Sequence, residues 1–395
     1  MPNLETTSSK RRSHRGDLLA VLLLLAILAG LGWLWRHGRQ PAPRAQSAPP
    51  AVHRVVPSLV VVERMPEAPV IAPAKEPESA PPAPLVAPMI ASNLPPPVAP
   101  VVAPVVVPAF PRPVQNLLEA QIALARLGIS PGSIDGAIGS QTRAALAVFQ
   151  RLQNLVPTSG LDTNTQTLLK LQVPLLTDYV VTSNDLARLQ PLGRTWLAKS
   201  RQSALDYETI LQLVAEKAHS HPALIERLNP DTVWTDVHPG TVLKIPDVAY
   251  PEPADKAAFV VIHLSDRYLE AFGTDSNLLA HFPCSIGAKF DKRPVGELHV
   301  AVIAAHPNYT FDPAIFPESP EAQAIGHKLI LPPGPKNPVG VAWIGLDKPG
   351  YGMHGTPAPE QIGHTGSHGC FRLANWDAEY LLKLAWIGMP VFIEP

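Results

Sequence analysis

An apolar run broken by no charge extends from Leu18 to Trp35, eighteen residues. As a helix it would measure about 27 Å, close to the roughly 30 Å hydrocarbon core of a bilayer. Lys10, Arg11, Arg12 and Arg15 precede it, and Trp33, Trp35, Arg36 and Arg39 close it. Residues 1–36 therefore read as a cytoplasmic stub and a single transmembrane helix with an interfacial aromatic and basic end. A secretory leader cleaved near Ala45 to Ala48 is the competing reading, although such leaders have shorter apolar cores that end in small residues.

From Pro41 to Pro113 the chain shows no helical or strand period. Of 47 prolines in the chain, 21 fall here, set among Ala and Val with few charges. Such composition favours polyproline II, which builds no core. At about 3.1 Å per residue it reaches roughly 200 Å, so residues 41–113 are expected to be a disordered linker.

Helical spacing returns with Leu118, Ile122, Ala125 and Leu127, predicting a helix over 114–127. Ser140 is placed to cap a second helix carrying Ala145, Leu146, Phe149 and Leu152. Residues 163–166 read as the capping box of a third, running to Leu171. Residues 114–172 are thus predicted to be a small three-helix bundle. Over 177–248 the periods mix. Tyr179 starts a strand, Ile210, Leu211, Leu213 and Val214 sit at helical spacing, and residues 240–246 alternate like a strand. A long insertion containing Trp196 and Lys199 separates the first strand from that helix.

From residue 256 the chain is β-rich. Residues 258–264 and 268–272 suggest a hairpin, and 284–287, 298–304 and 339–345 further strands. Residues 377–384 fit a helix and 390–393 a closing strand. The predicted class is multidomain α+β.

Formal charge is −1, so no basic field points to nucleic acid. The two cysteines, Cys284 and Cys370, make no disulfide framework. Cys284 reads as a buried structural residue, expected to stand apart from Cys370, since a bond between them would block a reactive thiol.

The chemistry concentrates near the C-terminus. His354, His364, His368 and Cys370 fall within seventeen residues, among glycines. A thiolate is the nucleophile and an imidazole can take its proton. Glycines beside it leave backbone N–H groups able to meet an oxyanion. A zinc site is the rival reading, but the spacing is irregular and no Cys-x-x-Cys accompanies it. No metal and no cofactor is expected.

The stretch His354-Gly-Thr356, then Ile362-Gly363, then Ser367-His-Gly-Cys-Phe-Arg-Leu373 resembles the signature of the L,D-transpeptidase catalytic domain. The resemblance extends through Gly287, Arg293 to Gly296, Pro307 to Tyr309, Pro313 and Asn337 to Gly345, covering about 257–395. Residues 114–172 are similar to the peptidoglycan-binding domain type 1 in Ile134-Asp-Gly136, Phe149-Gln150 and Gly160-Leu-Asp162. Leu228-Asn-Pro230 and Gly240 to Pro246 resemble the second half of a LysM domain, while the insertion departs from it, so the module reads either as a glycan binder or as a scaffold that only positions the catalytic domain.

These resemblances imply a LysM-like α/β module over 177–248 and a sandwich-like catalytic domain over 256–395. Cys370 is implied as nucleophile, His354 as general base, His368 as a supporting residue and Gly369 as oxyanion donor, with Cys370 N–H beside it. Arg372, Tyr351, Ser367, Gly355 and Thr356 are the implied substrate contacts; a structural ion pair is an equal reading of Arg372. The Gly355 carbonyl is a candidate to orient the base. The implied reaction joins peptidoglycan stem tetrapeptides through a thioester, releasing D-Ala and forming a 3–3 cross-link. An outer-membrane lipoprotein is a second acceptor the family allows. Trimming by water and a non-catalytic wall-binding anchor are the alternatives. Peptidoglycan glycan and stem peptides are the implied partners, with the inner membrane held by the segment from Leu18 to Trp35. Arg36, Arg39 and Arg44 blunt the charge asymmetry, so the periplasmic placement of the catalytic part leans on the resemblance. A cleaved periplasmic form accompanies the leader reading.

Overall fold

The computed structural model describes residues 109–395 except Thr365 and His368. The expected membrane helix, the proline linker before residue 109 and the supporting role of His368 lie outside the described residues. Among these residues no helix is long and apolar enough to cross a membrane.

The first module holds α1 (Leu117–Ala125), α2 (Ser140–Leu152) and α3 (Thr163–Leu168). Strands β1 (Arg112–Pro113) and β2 (Lys170–Leu171) pair antiparallel and tie its ends. Ile122, Leu124, Leu146, Val148 and Phe149 form its core. Caps set the boundaries differently from the periodicity. Asn116 caps α1 by accepting from Glu119 N–H, so the helix starts three residues later than expected. Gly139 precedes α2, leaving Ser140 as its first residue rather than its cap. Asp162, not Thr163, caps α3, and β2 replaces its expected last turn.

In the second module β3 (Leu176–Val180) pairs antiparallel with β4 (Val242–Pro246). Between them run α4 (Ser183–Ala187), α5 (Trp196–Ser200), α6 (Ile210–Lys217) and α7 (Pro222–Leu228). The insertion that sequence pattern left without a role is α4 and α5 with the segment after them. Its Leu192, Trp196 and Leu205 pack on Phe311, Leu329 and Leu331 of the catalytic part.

The third module is built on β5 (Phe259–His263), β6 (Tyr268–Phe272), β7 (Leu278–Pro283), β8 (Gly296–Ala305), β9 (Tyr309–Phe311), β10 (Leu329–Leu331), β11 (Ala342–Leu346), β12 (Gly352–His354), β13 (Phe371–Arg372) and β14 (Pro390–Glu394). Helix α8 (Pro320–Ile325) lies between β9 and β10, which form a separate antiparallel pair, and α9 (Asn375–Leu384) precedes β14. The expected strand at 284–287 sits earlier in the chain, as β7. The expected sandwich is a single eight-stranded sheet in the order β13-β12-β11-β8-β14-β5-β6-β7. Ten-residue β8 joins its halves, pairing with β14 through Gly296 to His299 and with β11 from Val300 onward. Val260, Leu269 and Phe282 of one half share a core with Ile344, Met353 and Phe371 of the other, and with Leu381 of α9.

Backbone hydrogen bonds weld the modules. Ser130 N–H donates to His281 O of β7 (2.8 Å) and His281 N–H to Gly128 O (3.0 Å). Four residues on, Ile134 N–H donates to His219 O and its carbonyl accepts from His221 N–H, each at 2.9 Å. One turn-rich loop of the first module thus holds both of the others.

Candidate active site

Two short strands bring the reactive residues together. β12 and β13 run parallel, with Met353 opposite Phe371 and His354 opposite Arg372. Met353 and Phe371 are both fully buried in the core, and such burial stabilises each by about 1.5–3 kcal/mol. That preference locks one face of the strand pair inward. Side chains alternate along a strand, so His354 and Arg372 share the other face, and Cys370, just before the strand, lies within reach of the Arg372 charge.

His354 Nδ1 lies 2.6 Å from Gly355 O. A carbonyl only accepts, so Nδ1 carries the proton and Nε2 is left with its lone pair. The ring stacks on Trp343, with centroids 5.6 Å apart. Burial lowers the imidazole pKa to about 4, against the Gly355 carbonyl, which raises it; Arg372 lowers it further. A neutral imidazole is a base. Cys370 Sγ lies 3.3 Å from Gly350 O. Burial pushes its thiol up, while Gly352 N–H and the Arg372 charge pull the other way. A thiol held up needs a base beside it to react.

Arg372 is anchored in the chain rather than loose. Its backbone exchanges two hydrogen bonds of 2.9 Å with Ser285, and its guanidinium donates to Gly366 O at 3.3 Å. It forms no ion pair with a described carboxylate within 4.0 Å; the charge is felt by Cys370 and His354 instead. Burial lowers its pKa, and the fields of Cys370 and Tyr309 raise it.

Ser367 donates through its hydroxyl to Cys370 O at 2.5 Å and accepts from Gly369 N–H at 3.1 Å. Its backbone is tied to Ile286 and Ala288, both at 2.8 Å. The side chain braces the loop that carries Cys370. The Gly369 N–H expected at an oxyanion is engaged by Ser367. Gly369 has φ +152°, and a Cβ there would lie 3.1 Å from the Tyr351 ring, so Tyr351 packs directly on the loop.

Gly355 and Thr356 are buried. Thr356 N–H and Val341 N–H both donate to Asn375 Oδ1, at 3.1 and 3.3 Å. Thr356 also lines a cavity of about 700 Å³ with Arg372 and Ser285 on one wall and Trp196, Lys199 and Gln212 of the second module on another. His364 is apart from this group. It is exposed and borders a small cavity of about 140 Å³ beside Gln141. Cys284 is a free, fully buried thiol, and Cys370 is also free. Among the described residues no three His, Cys, Asp or Glu side chains gather as a metal would require.

Pattern reading missed two neighbours of the site. Tyr309 of β9 feels the fields of both Cys370 and Arg372, and Asn375 grips the backbone after His354. Neither carries a local signal; Tyr309 appears in the sequence only as part of the Pro307-Asn-Tyr309 resemblance.

Residues 257–393 match the family described as L,D-transpeptidase catalytic domain. Residues 114–169 match the family described as "Putative peptidoglycan binding domain". The chain is 26% identical over 188 residues to "Putative L,D-transpeptidase YkuD" of Bacillus licheniformis, spanning 48% of this chain and 94% of that protein. It is 29% identical over 148 residues to "Putative L,D-transpeptidase YqjB" of Bacillus subtilis, spanning 36% of this chain and 73% of that one. It is 31% identical over 160 residues to "Probable L,D-transpeptidase YbiS" of Escherichia coli, spanning 39% of this chain and half (50%) of that protein.

Proposed function

We propose, on the premise that this chain is an L,D-transpeptidase enzyme, that it cross-links peptidoglycan stem peptides through a Cys370 thioester. His354 Nε2 takes the Cys370 proton as sulfur attacks the carbonyl between the third residue of a tetrapeptide and its terminal D-Ala. The Cys370 N–H is the oxyanion donor, since Gly369 N–H is engaged by Ser367. His354 returns the proton to the departing D-Ala amine. The side-chain amine of a second stem's third residue then attacks the thioester, giving the 3–3 link and freeing the thiol. Arg372 lowers the energy of the thiolate and offers a planar fork to substrate carboxylates. Tyr351 walls the loop that carries the sulfur.

The observation that carries this reading is the strand register that sets His354 beside Arg372, whose charge reaches both His354 and Cys370, with His354 held in the Nδ1–H tautomer. Residues 114–172 hold peptidoglycan, consistent with the family they match. The second module, whose strands β3 and β4 pair around four helices, is a LysM-like glycan binder in this reading. Residues 1–36 anchor the chain in the inner membrane, and 41–113 extend the enzyme into the periplasm.

The test is mass spectrometry of the full chain in detergent with a disaccharide-tetrapeptide, beside Cys370→Ala. Loss of D-Ala with a 3–3 linked dimer in the wild type alone supports cross-linking. Loss of D-Ala without a dimer replaces it with trimming. No reaction, with Cys370 unmodified, leaves a wall-binding anchor.

A further inference from the structure

Asn375 is the first residue of α9, and its amide is saturated. Oδ1 accepts from Val341 and Thr356 N–H groups. Nδ2 donates to Pro335 O at 3.1 Å and to Glu216 Oε1 at 2.8 Å. An amide offers two donors and two acceptor sites, so every one is used. Glu216 belongs to α6, in the second module, 159 residues from Asn375 in sequence.

The peptide that Asn375 holds is the one following His354. Gly355 supplies the carbonyl that fixes the imidazole tautomer, and Thr356 N–H is the group bound to Asn375. The packing has no slack: a Cβ on Gly355 would lie 2.2 Å from Asn375 Oδ1 and one on Gly340 2.0 Å from it. The segment just after that peptide is gripped from a second direction. Lys336 Nζ donates to Pro357 O at 3.0 Å, and Lys336 N–H donates to Leu205 O of the second module at 2.9 Å. Leu205 N–H in turn donates to Pro333 O at 2.9 Å.

We propose that Glu216 is a positioning residue for the reaction. From the second module it fixes the Asn375 amide, and through it the Gly355–Thr356 peptide whose carbonyl holds the His354 tautomer. The second module then completes the catalytic apparatus rather than only binding the wall. Its carboxylate is desolvated, which raises its pKa against the opposing influence of Lys336, Asn375 and Tyr207. The role asked of it needs an acceptor oxygen and no charge.

This rests on the Cys370–His354 assignment, so the experiment reads that pair as well as turnover. Glu216→Ala and Glu216→Gln are made in the full chain, with Cys370→Ala and His354→Ala as references. Two quantities are measured: kcat and KM with disaccharide-tetrapeptide, and the pH profile of Cys370 alkylation by iodoacetamide. Misplacement on the scale of an ångström costs about 10²-fold. Glu216→Ala should therefore lower kcat by about 10- to 100-fold with KM little changed, and slow alkylation near neutral pH toward the His354→Ala rate. Glu216→Gln, which keeps the acceptor, should restore both. A Glu216→Ala chain with wild-type kcat and alkylation overturns the proposal. So does a KM effect alone, which would make Glu216 a substrate contact in the cavity it lines. Loss in Glu216→Gln as deep as in Glu216→Ala overturns it too, since charge or fold would then be at issue; thermal unfolding of both variants separates these. If the wild type is inert on stem peptides while alkylation still depends on His354 and Glu216, the cross-linking reading fails and this one stands.

Discussion

Gly355 and Asn375 are packed so closely that a methyl group on Gly355 would lie 2.2 Å from Asn375 Oδ1. The contact joins the residue whose carbonyl orients His354 to the side chain that ties α9 to that loop. Gly355→Ala should displace one of them. Overpacking of this kind costs about 1–3 kcal/mol in stability. The imidazole loses its fixed acceptor at the same time, so kcat should fall by about 10²-fold. Calorimetry and turnover on the same preparation check both, and wild-type kcat in Gly355→Ala would refute the orienting role.

The acid limb of the rate profile should lie unusually low. With its pKa lowered to about 4, His354 loses its proton above that pH and is already a free base at pH 5. Activity governed by this group appears as pH rises through about 4, not through the ordinary histidine range. The measurement is kcat/KM between pH 3.5 and 8, as buffered steps; an acid limb centred near 6.5 would contradict the buried, neutral imidazole.

Stability should decline between acid and neutral pH because of one carboxyl. Asp377 accepts from Ser130 Oγ at 3.2 Å and from the Tyr250 hydroxyl, and burial pushes its pKa up to about 7. The folded chain therefore holds a proton that the unfolded chain releases near pH 4. Its stabilising contribution is full below that value and is lost as pH rises through about 7. Asp377→Asn should flatten this part of the profile. Urea unfolding at pH 5 and pH 8 tests it, and an equal slope in both chains would rule out Asp377 as the source.

Trp196 stacks on Phe311 with ring centroids 4.5 Å apart and planes 16° apart. Tyr309, the neighbour of Cys370 and Arg372, is on the same short strand. Trp196→Ala should cost about 1–3 kcal/mol and loosen the β9–β10 pair. Hydrogen exchange should rise across residues 309–331 while the eight-stranded sheet is unchanged. Unaltered exchange there would mean the insertion only rests on the hairpin.

Local sequence determined more of the chemistry than of the architecture. Cys370, His354 and Arg372 are legible because a thiol, an imidazole and glycines crowd one short window. The helices of the first module and most strands of the third are legible from apolar spacing, with boundaries shifted where Asn116, Gly139 and Asp162 set the caps. The bracing by Ser367 is not legible there, since nothing local says that its hydroxyl spans Gly369 N–H and Cys370 O.

Tertiary structure alone decided where the insertion packs and what holds the loop after His354. Nothing near Trp196 or Leu205 in sequence names the β9–β10 pair whose surface they cover. Nothing near Glu216 in sequence marks the amide that α9 presents to it. Periodicity reports which face of an element is buried, because that follows from neighbours three or four residues away. It is silent on which partner does the burying. That is set by packing and hydrogen-bond saturation between segments more than a hundred residues apart, and there this protein's second module meets its catalytic one.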